Sequence, residues 1–274
     1  MFSWSMLSEL YLPMQIAEGK KIFFISDFHL GSPDRLSSLQ REKYIIRFLE
    51  SIQQEAAEIF IVGDLFDFWF EYKTVVPKGY VRILGKLATL TDSGIPIQFF
   101  VGNHDMWMRN YFEKELSIPV YYEPKIFIRN GQKFLIGHGD GLGPGDGGYK
   151  FLKKIFRNKF SQGLFGVLPP AVGVGIANYF SRQSRTVTRQ TDEKFLGEEG
   201  EWLIEYCKKK MEEEKYDYMI FGHRHLPIDF KFPNGSRYIN LGDWIRYFTY
   251  ASFDGEELTL QSFDPDLDYK IIRR

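Results

Sequence analysis

Five short apolar runs, each followed at once by a polar loop, constrain the fold of this chain more than any other feature of its sequence. Continuous apolar runs of this length are typical of strands that are buried on both faces between helices. Residues 37–55 and 198–214 have helical spacing and charge, and alternation of strand and helix predicts an α/β architecture. The runs are KIFFIS (21–26), EIFIV (58–62), PIQFFV (96–101), KFLIG (133–137) and DYMIF (217–221).

Three shorter strand patterns with turn signals follow near the C-terminus. They are SRYINLG, TYASFDG and ELTLQSF, and we expect them to extend a second sheet. A chain of 274 residues can form one large domain or two small ones. We predict a single domain over residues 1–274, with an N-terminal extension (residues 1–19) and an inserted helical segment (residues 147–191), called the insertion below.

The composition indicates a packed core and no long apolar span. Hydrophobic residues make up 44% of the chain and aromatic residues 17%, far from the composition of a disordered protein. The formal net charge of −1 favours neither nucleic acid nor membrane as a partner. We expect no transmembrane helix, and the N-terminus lacks the basic region of a signal peptide. The single cysteine, Cys207, cannot form an internal disulfide, and we expect it to be structural.

Each apolar run is followed by side chains of the types that bind metal ions. Loops at the carboxyl ends of strands in α/β sheets converge on one crevice, so five separate loops are expected to meet there. All five histidines of the chain lie in these loops, which chance does not readily explain. The loop residues are Asp27 and His29; Asp64; Asn103, His104 and Asp105; His138 and Asp140; and His223 and His225.

The types of ligand indicate which ions the crevice would hold. Oxygen and imidazole ligands without a thiolate favour Mn, Fe, Zn or Ni over a structural cysteine–zinc site. Two ions about 3.5–4 Å apart can hold the attacking and leaving oxygens of a phosphoryl displacement. A metal ion can also lower the pKa of bound water to about 7, which supplies hydroxide at neutral pH.

The order and spacing of these motifs resemble those of the calcineurin-like metallophosphoesterases. The series D-x-H, G-D, G-N-H-D, G-H-G-D and G-H-x-H runs from residue 27 to residue 225, most of the chain. The resemblance implies a sandwich of two mixed sheets flanked by helices, and two divalent metal ions, with Mn as the first choice. Carried over position by position, it implies one ion on Asp27, His29 and His225, a second on Asn103, His138 and His223, and Asp64 as the bridge.

The same resemblance implies which residues act on the substrate. His104 would face the substrate phosphate as a proton donor or charge stabiliser, and Asp105 would orient it. Asn103 and His223 would touch the substrate as well as the second ion.

Several polar or aromatic neighbours of the motifs have ordinary interpretations. Asp67 and Trp69 are expected to be packing and loop residues. Asp140 could cap a turn, orient a histidine or touch the substrate, and these alternatives stay open. Asp243 could simply end a strand.

The insertion differs in charge from the rest of the chain. It contains eight basic residues and no acidic one, whereas the remainder has 27 basic and 36 acidic residues. Lys150, Lys153, Lys154 and Arg157 follow the spacing of one helix face, and apolar residues lie largely on the other. Such a segment suits the surface of an anionic membrane, or a lid over a substrate with phosphate and acyl groups. A solvated basic helix pair that covers a core edge is the alternative.

Within the superfamily, the whole chain is most similar to the bacterial UDP-2,3-diacylglucosamine diphosphatases. The matching pieces are SDFHLGSP, GDLFDFWFEY, the run from His138 to Asp146, and the basic, hydrophobic insertion. The resemblance implies water attack on the pyrophosphate of a nucleotide-sugar lipid, which releases UMP and an acylated sugar phosphate in lipid A synthesis. It also implies a lid for two acyl chains and a cytoplasmic protein peripheral on the inner face of the inner membrane. Its further substrate-binding candidates are Asp146, Arg182, Arg185 and Arg189.

One departure from that family leaves a second function open. The diphosphatases have Arg where this chain has His104, although histidine is the general choice of the superfamily. The alternative is a soluble phosphodiesterase or phosphatase for nucleotides or nucleic acid. A nucleic-acid groove should interleave aromatic and basic residues, whereas the insertion carries Phe, Leu, Val and Ile with glycines, so we expect no nucleic-acid partner. A third alternative, a non-catalytic scaffold, is disfavoured by the intact ligand set.

Overall fold

Two mixed β-sheets, stacked face to face, organise the fold. The computed structural model describes residues 14–32, 36–144, 147–188, 194–264 and 271–274, with residues 178 and 182–188 described as backbone alone. In chain order the strands are β1 (Lys21–Ile25), β2 (Ala56–Val62), β3 (Ile97–Phe100), β4 (Val120–Tyr121), β5 (Lys125–Arg129), β6 (Gln132–Ile136), β7 (Tyr218–Phe221), β8 (Pro227–Lys231), β9 (Arg237–Leu241), β10 (Thr249–Phe253), β11 (Leu258–Ser262) and β12 (Ile272–Arg273).

Helices cover the outer faces of the sheets and form the insertion. They are α1 (Ser38–Ile52), α2 (Val81–Asp92), α3 (Tyr111–Glu115), α4 (Gly147–Arg157), α5 (Lys159–Val167), α6 (Pro170–Thr188) and α7 (Trp202–Glu213). Ser37 and Gln40 form a capping box at the start of α1, so this helix begins where the sequence supplies partners for its first amide groups. Within the described residues, no helix is long and apolar enough to cross a membrane.

Both sheets have parallel neighbours at their centre, and antiparallel pairs lie on one side of the first sheet and on both sides of the second. The first sheet has the order β11-β10-β1-β2-β3-β4, and β1, β2 and β3 are parallel neighbours. The second has the order β12-β8-β9-β7-β6-β5, and β6 and β7 are parallel neighbours. The carboxyl ends of β1, β2 and β3, and those of β6 and β7, are therefore the ends from which the polar loops leave.

Alternate residues of β1 show why its sequence is apolar throughout. Phe24 points between the sheets, where its ring stacks on Phe60 of β2 at 5.1 Å and on Phe134 of the other sheet at 6.0 Å. Phe23 points outward and meets Phe48 of α1 edge to face at 6.5 Å. Because both faces of the strand are buried, alternation of apolar and polar residues is absent.

The five apolar runs of the sequence form β1, β2, β3, β6 and β7, and the predicted helices are α1 and α7, so these predictions are confirmed. The fold class is confirmed as well, because two mixed sheets are flanked by helices. The expectation that the three C-terminal strands extend a second sheet is right for β9 and wrong for β10 and β11. β10 pairs antiparallel with β1, with Ala251 opposite Phe24, and carries β11 at the edge of the first sheet.

Two further segments bear on the sequence predictions. Residues 1–13 of the predicted N-terminal extension lie outside the described part of the chain, and Met14 runs beside β5, with its amide donating to the carbonyl of Ile128 at 3.3 Å. Cys207 of α7 is buried against the outer face of the second sheet, and burial raises the pKa of its thiol. Both properties are those of a structural cysteine.

Candidate metal centre

The polar loops after β1, β2, β3, β6 and β7 meet at one edge of the sandwich. Each loop begins within a few residues of its strand, and three of the loops come from the first sheet and two from the second. The candidate ligands fall into two clusters that share one aspartate. We call Asp27, His29 and His225 the first cluster, and Asn103, His138 and His223 the second cluster.

In the first cluster, three ligand atoms face one point. His225 Nε2 lies 3.2 Å from Asp27 Oδ1, and His29 Nε2 lies 3.5 Å from the same oxygen. The two Nε2 atoms are 3.1 Å apart. Asp27 and His29 are buried, whereas the His225 side chain is partly open to solvent.

In the second cluster, an amide oxygen lies between two imidazoles. Asn103 Oδ1 is 2.9 Å from His223 Nδ1 and 3.2 Å from His138 Nε2. His138 is buried, and Asn103 and His223 are partly exposed. This cluster therefore has an open side through which a substrate oxygen could approach.

Asp64 lies between the two clusters. Its Oδ2 atom is 3.6 Å from His29 Nε2 and 3.3 Å from His138 Nε2, and the side chain is buried. Its other oxygen accepts a hydrogen bond of 2.8 Å from the backbone amide of His104, which fixes the carboxylate. One carboxylate oxygen thus lies near both clusters, in a position suited to a bridging ligand.

The backbone at these ligands is unusual. Asp27, His29, Asp64, His223 and His225 all have φ between 44° and 66°, in the left-handed region that non-glycine residues rarely adopt. Strained conformations of this kind cluster at functional sites, where the surrounding structure holds them.

Close approach between loops explains the glycine that precedes one of these ligands. A methyl group on Gly222 would lie 2.0 Å from Ser26 Oγ and 2.4 Å from Asp27 Oδ2. Only glycine therefore lets the loop after β7 pass close enough for the His223 amide to donate to Asp27 Oδ2, at 3.0 Å.

A buried arginine holds the loop that carries His29. Arg41 of α1 donates to the carbonyl oxygens of Phe28, His29 and Ser32 at 2.9, 2.6 and 3.0 Å. Its burial is compatible with its charge because these carbonyl oxygens replace water. The sequence gives no local sign of this role, since the arginine lies within a helix.

Polar partners on the far side of two imidazoles decide which nitrogen faces the cluster. His138 Nδ1 lies 2.9 Å from the carbonyl oxygen of Val62, to which it can donate a hydrogen bond. Its Nε2 atom then faces the second cluster and could bind a metal ion. His225 Nδ1 lies 3.4 Å from Asp243 Oδ2, and Asp243 is itself fixed by three backbone amides. Such partners orient metal-binding histidines, so Asp243 does more than end a strand.

Asp67 also contacts the site, a role that the sequence interpretation missed. Its Oδ1 atom lies 3.7 Å from His29 Nδ1 and 3.6 Å from His104 Nδ1, and its carbonyl oxygen lies 3.0 Å from His104 Nδ1. The carboxylate is buried. By contrast, Trp69 is buried and stacks on Phe66 at 4.4 Å, as expected of a packing residue.

Asp105 lies beneath the site and binds backbone. Its Oδ1 accepts from the amide of Gly102 at 2.7 Å and its Oδ2 from the amide of Leu65 at 2.9 Å. The ring of His104 meets the carbonyl of Asp67 instead. Asp105 therefore ties the loop that carries His104 to the loop that follows β2 and carries Asp64. Burial and the charge of Asp64 raise the pKa of Asp105 to about 7.

Burial and charge shift the pKa values of the clustered side chains. Burial alone would lower the pKa of His138, but the Asp64 carboxylate beside it raises that pKa to about 10. Burial would raise the pKa of Asp27, but His225 holds it well below its usual range. Burial, with the charge of His138, lowers the pKa of His223 to about 4. The negative field that favours protons on His138 also favours divalent cations here.

The donor set fits metal ions. Asp27 Oδ1 is buried and accepts no well-formed hydrogen bond from any residue in the described part of the chain, although two imidazole nitrogens face it. A cation among these atoms would satisfy the carboxylate oxygen and separate the facing nitrogens of His29 and His225. The geometry also makes a group of His29, Asp64 and His104 possible as ligands.

The insertion lies against this site, and three of the four basic side chains on one face of α4 contact protein groups. Lys153 forms an ion pair of 2.6 Å with Asp140 Oδ2, Lys150 donates to the carbonyl of Gly143 at 2.5 Å, and Arg157 pairs with Glu123. These three side chains therefore bind protein groups, and contact of the insertion with a membrane stays a prediction. The partners Asp140 and Glu123 lie outside the helix, in loops that precede it in the chain, so the helical spacing could not reveal them.

The solvent side of the insertion carries many apolar side chains, beside the exposed Lys154 and Lys159. The exposed large apolar side chains of α4, α5 and α6 are Phe151, Leu152, Ile155, Phe160, Leu164, Val167, Val172, Ile176, Tyr179 and Phe180. Monomeric proteins rarely expose so many neighbouring apolar residues without a partner.

The structure describes the remaining substrate-binding candidates only in part. Asp146 and Arg189 lie outside the described residues. Arg182 and Arg185 lie on α6, where the structure describes the backbone alone, so their contacts with a substrate stay a prediction.

Comparison with known proteins gives the relatives of this chain. A family model described as calcineurin-like phosphoesterase matches residues 20–227, a range that contains all five histidines. The chain is 38% identical over 256 residues to a UDP-2,3-diacylglucosamine hydrolase of Porphyromonas gingivalis, covering 89% of this chain and 98% of that protein. It is 28% identical over 243 residues to a protein of the same name from Photorhabdus laumondii, covering 88% and 98%. A third such protein, from Ectopseudomonas mendocina, is 30% identical over 246 residues, covering 89% and 98%.

Proposed function

The chain belongs to the calcineurin-like phosphoesterase family, hydrolases with a dinuclear divalent metal site, and we propose that its substrate is UDP-2,3-diacylglucosamine. Water would add across the pyrophosphate: its oxygen bonds to one phosphorus, and the bridging oxygen leaves with the other phosphate. The products are UMP and an acylated glucosamine 1-phosphate, and the step would belong to lipid A synthesis.

The proposed ligands follow the two clusters. Asp27, His29 and His225 would hold one ion, and Asn103, His138 and His223 the other, with Asp64 shared because its Oδ2 lies near both. When bound, the ions would supply an activated water and bind phosphate oxygens. We propose Mn as the physiological metal, with Fe, Zn or Ni as alternatives that this set of oxygen and imidazole ligands also accepts.

His104 is the proposed catalytic residue outside the ligand sets. Its Nδ1 lies 3.0 Å from the Asp67 carbonyl, to which it can donate, and this leaves Nε2 for a phosphate oxygen or the leaving group. Burial lowers the pKa of His104, so the ring gives up a proton more readily than an exposed histidine. Asp105 would support this geometry by holding the loop.

The exposed apolar surface of the insertion, next to the metal centre, is the observation that favours a lipid substrate. Ser181 of α6 donates to Asp67 Oδ2 at 2.9 Å, so the insertion contacts the centre itself. A substrate with a pyrophosphate and two acyl chains needs a polar metal centre and an apolar surface close together. A nucleic-acid substrate is less well supported, because Lys150, Lys153 and Arg157 bind protein groups.

The same surface supports a location at a membrane. We propose a cytoplasmic protein that binds peripherally to the inner face of the inner membrane, with the apolar side chains of α5 and α6 towards the lipid. An amphipathic helix that presents large apolar side chains to solvent suits the membrane interface.

A panel of three substrates with Mn²⁺ tests the proposed function. The panel compares UDP-2,3-diacylglucosamine, a small nucleotide diester and a phosphomonoester, and kcat/KM should be highest for the acylated substrate. Asp64→Ala is the inactive control, and it should lose at least one metal ion by elemental analysis together with nearly all turnover. Equal or better hydrolysis of the small diester would instead support the soluble phosphodiesterase.

A further inference from the structure

The insertion contacts the loops of the metal centre at both of its ends. At its start, Tyr149 donates to Asp140 Oδ2 at 2.8 Å and Lys153 pairs with the same carboxylate, two residues beyond His138. At its end, Ser181 donates to Asp67 Oδ2 at 2.9 Å. The Ser181 side chain is buried, so this hydrogen bond is shielded from water.

The contact between Ser181 and Asp67 matters more for the metal centre, because Asp67 also lies beside two of its histidines. With Oδ2 occupied by the serine hydroxyl, Oδ1 remains on the side of the two imidazoles, 3.7 Å from His29 Nδ1 and 3.6 Å from His104 Nδ1. Ser181 Oγ itself lies 3.4 Å from His104 Nδ1. One hydroxyl from the insertion therefore restrains a carboxylate whose other oxygen lies close to two site histidines, just beyond hydrogen-bonding distance of each ring.

We infer that Ser181 is a positioning residue of the metal centre, which acts through Asp67 on His29 and His104. Hydrogen-bond partners behind a ligating histidine set the orientation and basicity of its ring. Because Ser181 belongs to α6, docking of the insertion would complete the geometry of the first cluster. The inference deepens the proposed function, and it rests on the assignment of the ligands but not on the identity of the substrate.

A purely structural role for Ser181 gives a different expectation. The insertion is also anchored by Phe165, whose ring packs on Trp107 at 4.5 Å and on Phe70 at 4.9 Å. Trp107 in turn donates from Nε1 to the carbonyl of Phe156, at 2.7 Å. With these anchors in place, loss of one hydroxyl should leave α6 docked. A role limited to docking would therefore leave the affinity for metal unchanged.

The test is a metal titration of the full-length protein, with Mn²⁺ and separately with Zn²⁺. We expect Ser181→Ala to weaken binding at one site about tenfold, and Asp67→Asn by about 10–100-fold, the range for such partners. Ser181→Thr keeps the hydroxyl and should restore binding towards the wild-type value. Ser161→Ala removes another half-buried serine of the insertion and should have no effect.

Two further measurements separate the possible outcomes. Thermal unfolding of each metal-free variant shows whether it is folded, and kcat for bis(p-nitrophenyl) phosphate reports on the centre without acyl chains. The inference would be overturned if Ser181→Ala kept the wild-type metal affinity and the wild-type kcat for the diester. In that case only the KM for the acylated substrate would be raised. If wild type fails to hydrolyse UDP-2,3-diacylglucosamine but the affinity shift is seen, the substrate assignment fails and the role of Ser181 stands.

Discussion

His104 lies beside both clusters and belongs to neither. Its backbone amide donates to Asp64 Oδ1 at 2.8 Å, and its ring meets His29 edge to face at 4.7 Å between centroids. In the proposed assignment the clusters provide three ligands each, with Asp64 between them. The ring is therefore better placed to act on a phosphate than to complete a coordination shell.

His104→Ala should lower turnover and leave both ions bound. Groups that transfer a proton or stabilise charge in the transition state typically contribute about 10²–10⁴-fold, so kcat should fall by that order. Elemental analysis of the variant and steady-state kinetics with Mn²⁺ measure the two effects. Loss of an ion in His104→Ala would make the residue a ligand, which the nearness of His29 and Asp64 also allows.

At single positions, the sequence predicted ligand types but not their supporting partners. The histidines could be found because each follows an apolar run within four residues. Asp67 and Asp243 could not be recognised in this way, because their importance depends on where an imidazole from another loop lies. Asp67 Oδ1 is 3.6 Å from His104 Nδ1, and Asp243 Oδ2 is 3.4 Å from His225 Nδ1. A side chain that acts only through tertiary contacts leaves no periodic signal.

At the level of elements, strands were predictable and their sheet partners were not. The apolar run of β1 indicates burial on both faces, and the structure shows those faces meeting Phe48 and Phe134. β10 and β9 have similar strand patterns, yet β10 joins the first sheet and β9 the second. Strand pairing is decided by contacts distant in sequence, which a local pattern does not carry.

One buried ion pair joins the two sheets and can be tested directly. Arg129 of β5 binds Glu58 of β2 through two hydrogen bonds of 2.7 and 2.9 Å, and both side chains are almost fully buried. Arg129→Met leaves a buried carboxylate without its partner, so the free energy of unfolding should fall by about 3–5 kcal/mol. Urea denaturation measures this change.

The control for that experiment is an exposed pair of the same charge types. Lys21 and Glu55 are paired at 2.7 Å, with side chains 40% and 50% exposed, so Lys21→Met should cost at most about 1 kcal/mol. The double variant Glu58→Leu/Arg129→Met should be more stable than Arg129→Met alone, because no unpaired charge remains. Equal stability of the single and double variants would show that the charge is not the source of the loss.

For the molecule as a whole, the sequence predicted a helical insertion but not which way its basic side chains point. Helical spacing placed Lys153 and Arg157 on one face, and the structure turns that face towards Asp140 and Glu123. The outward side of the same helix carries apolar residues, with Phe151 66% and Leu152 44% exposed, and α5 adds Phe160 and Val167, each 80% exposed. Electrostatic attraction to a membrane should therefore be weaker than the basic composition suggests, and apolar contact stronger.

Binding to vesicles of phosphatidylethanolamine and phosphatidylglycerol should accordingly survive added salt in large part. Exposed charges are screened beyond about 10 Å at 0.1 M salt, whereas the burial of apolar area is not. Substituting Leu164→Ser and Val167→Ser should weaken co-sedimentation by about tenfold for each side chain that inserts, since full burial of such a side chain contributes about 1.5–3 kcal/mol. Val81→Ser is the matched control, because Val81 is an equally exposed apolar residue on α2, outside the insertion. This orientation would be contradicted if binding disappeared at 0.5 M salt and did not change when Leu164 and Val167 were substituted. The basic residues of the insertion would then be the ones that contact the membrane.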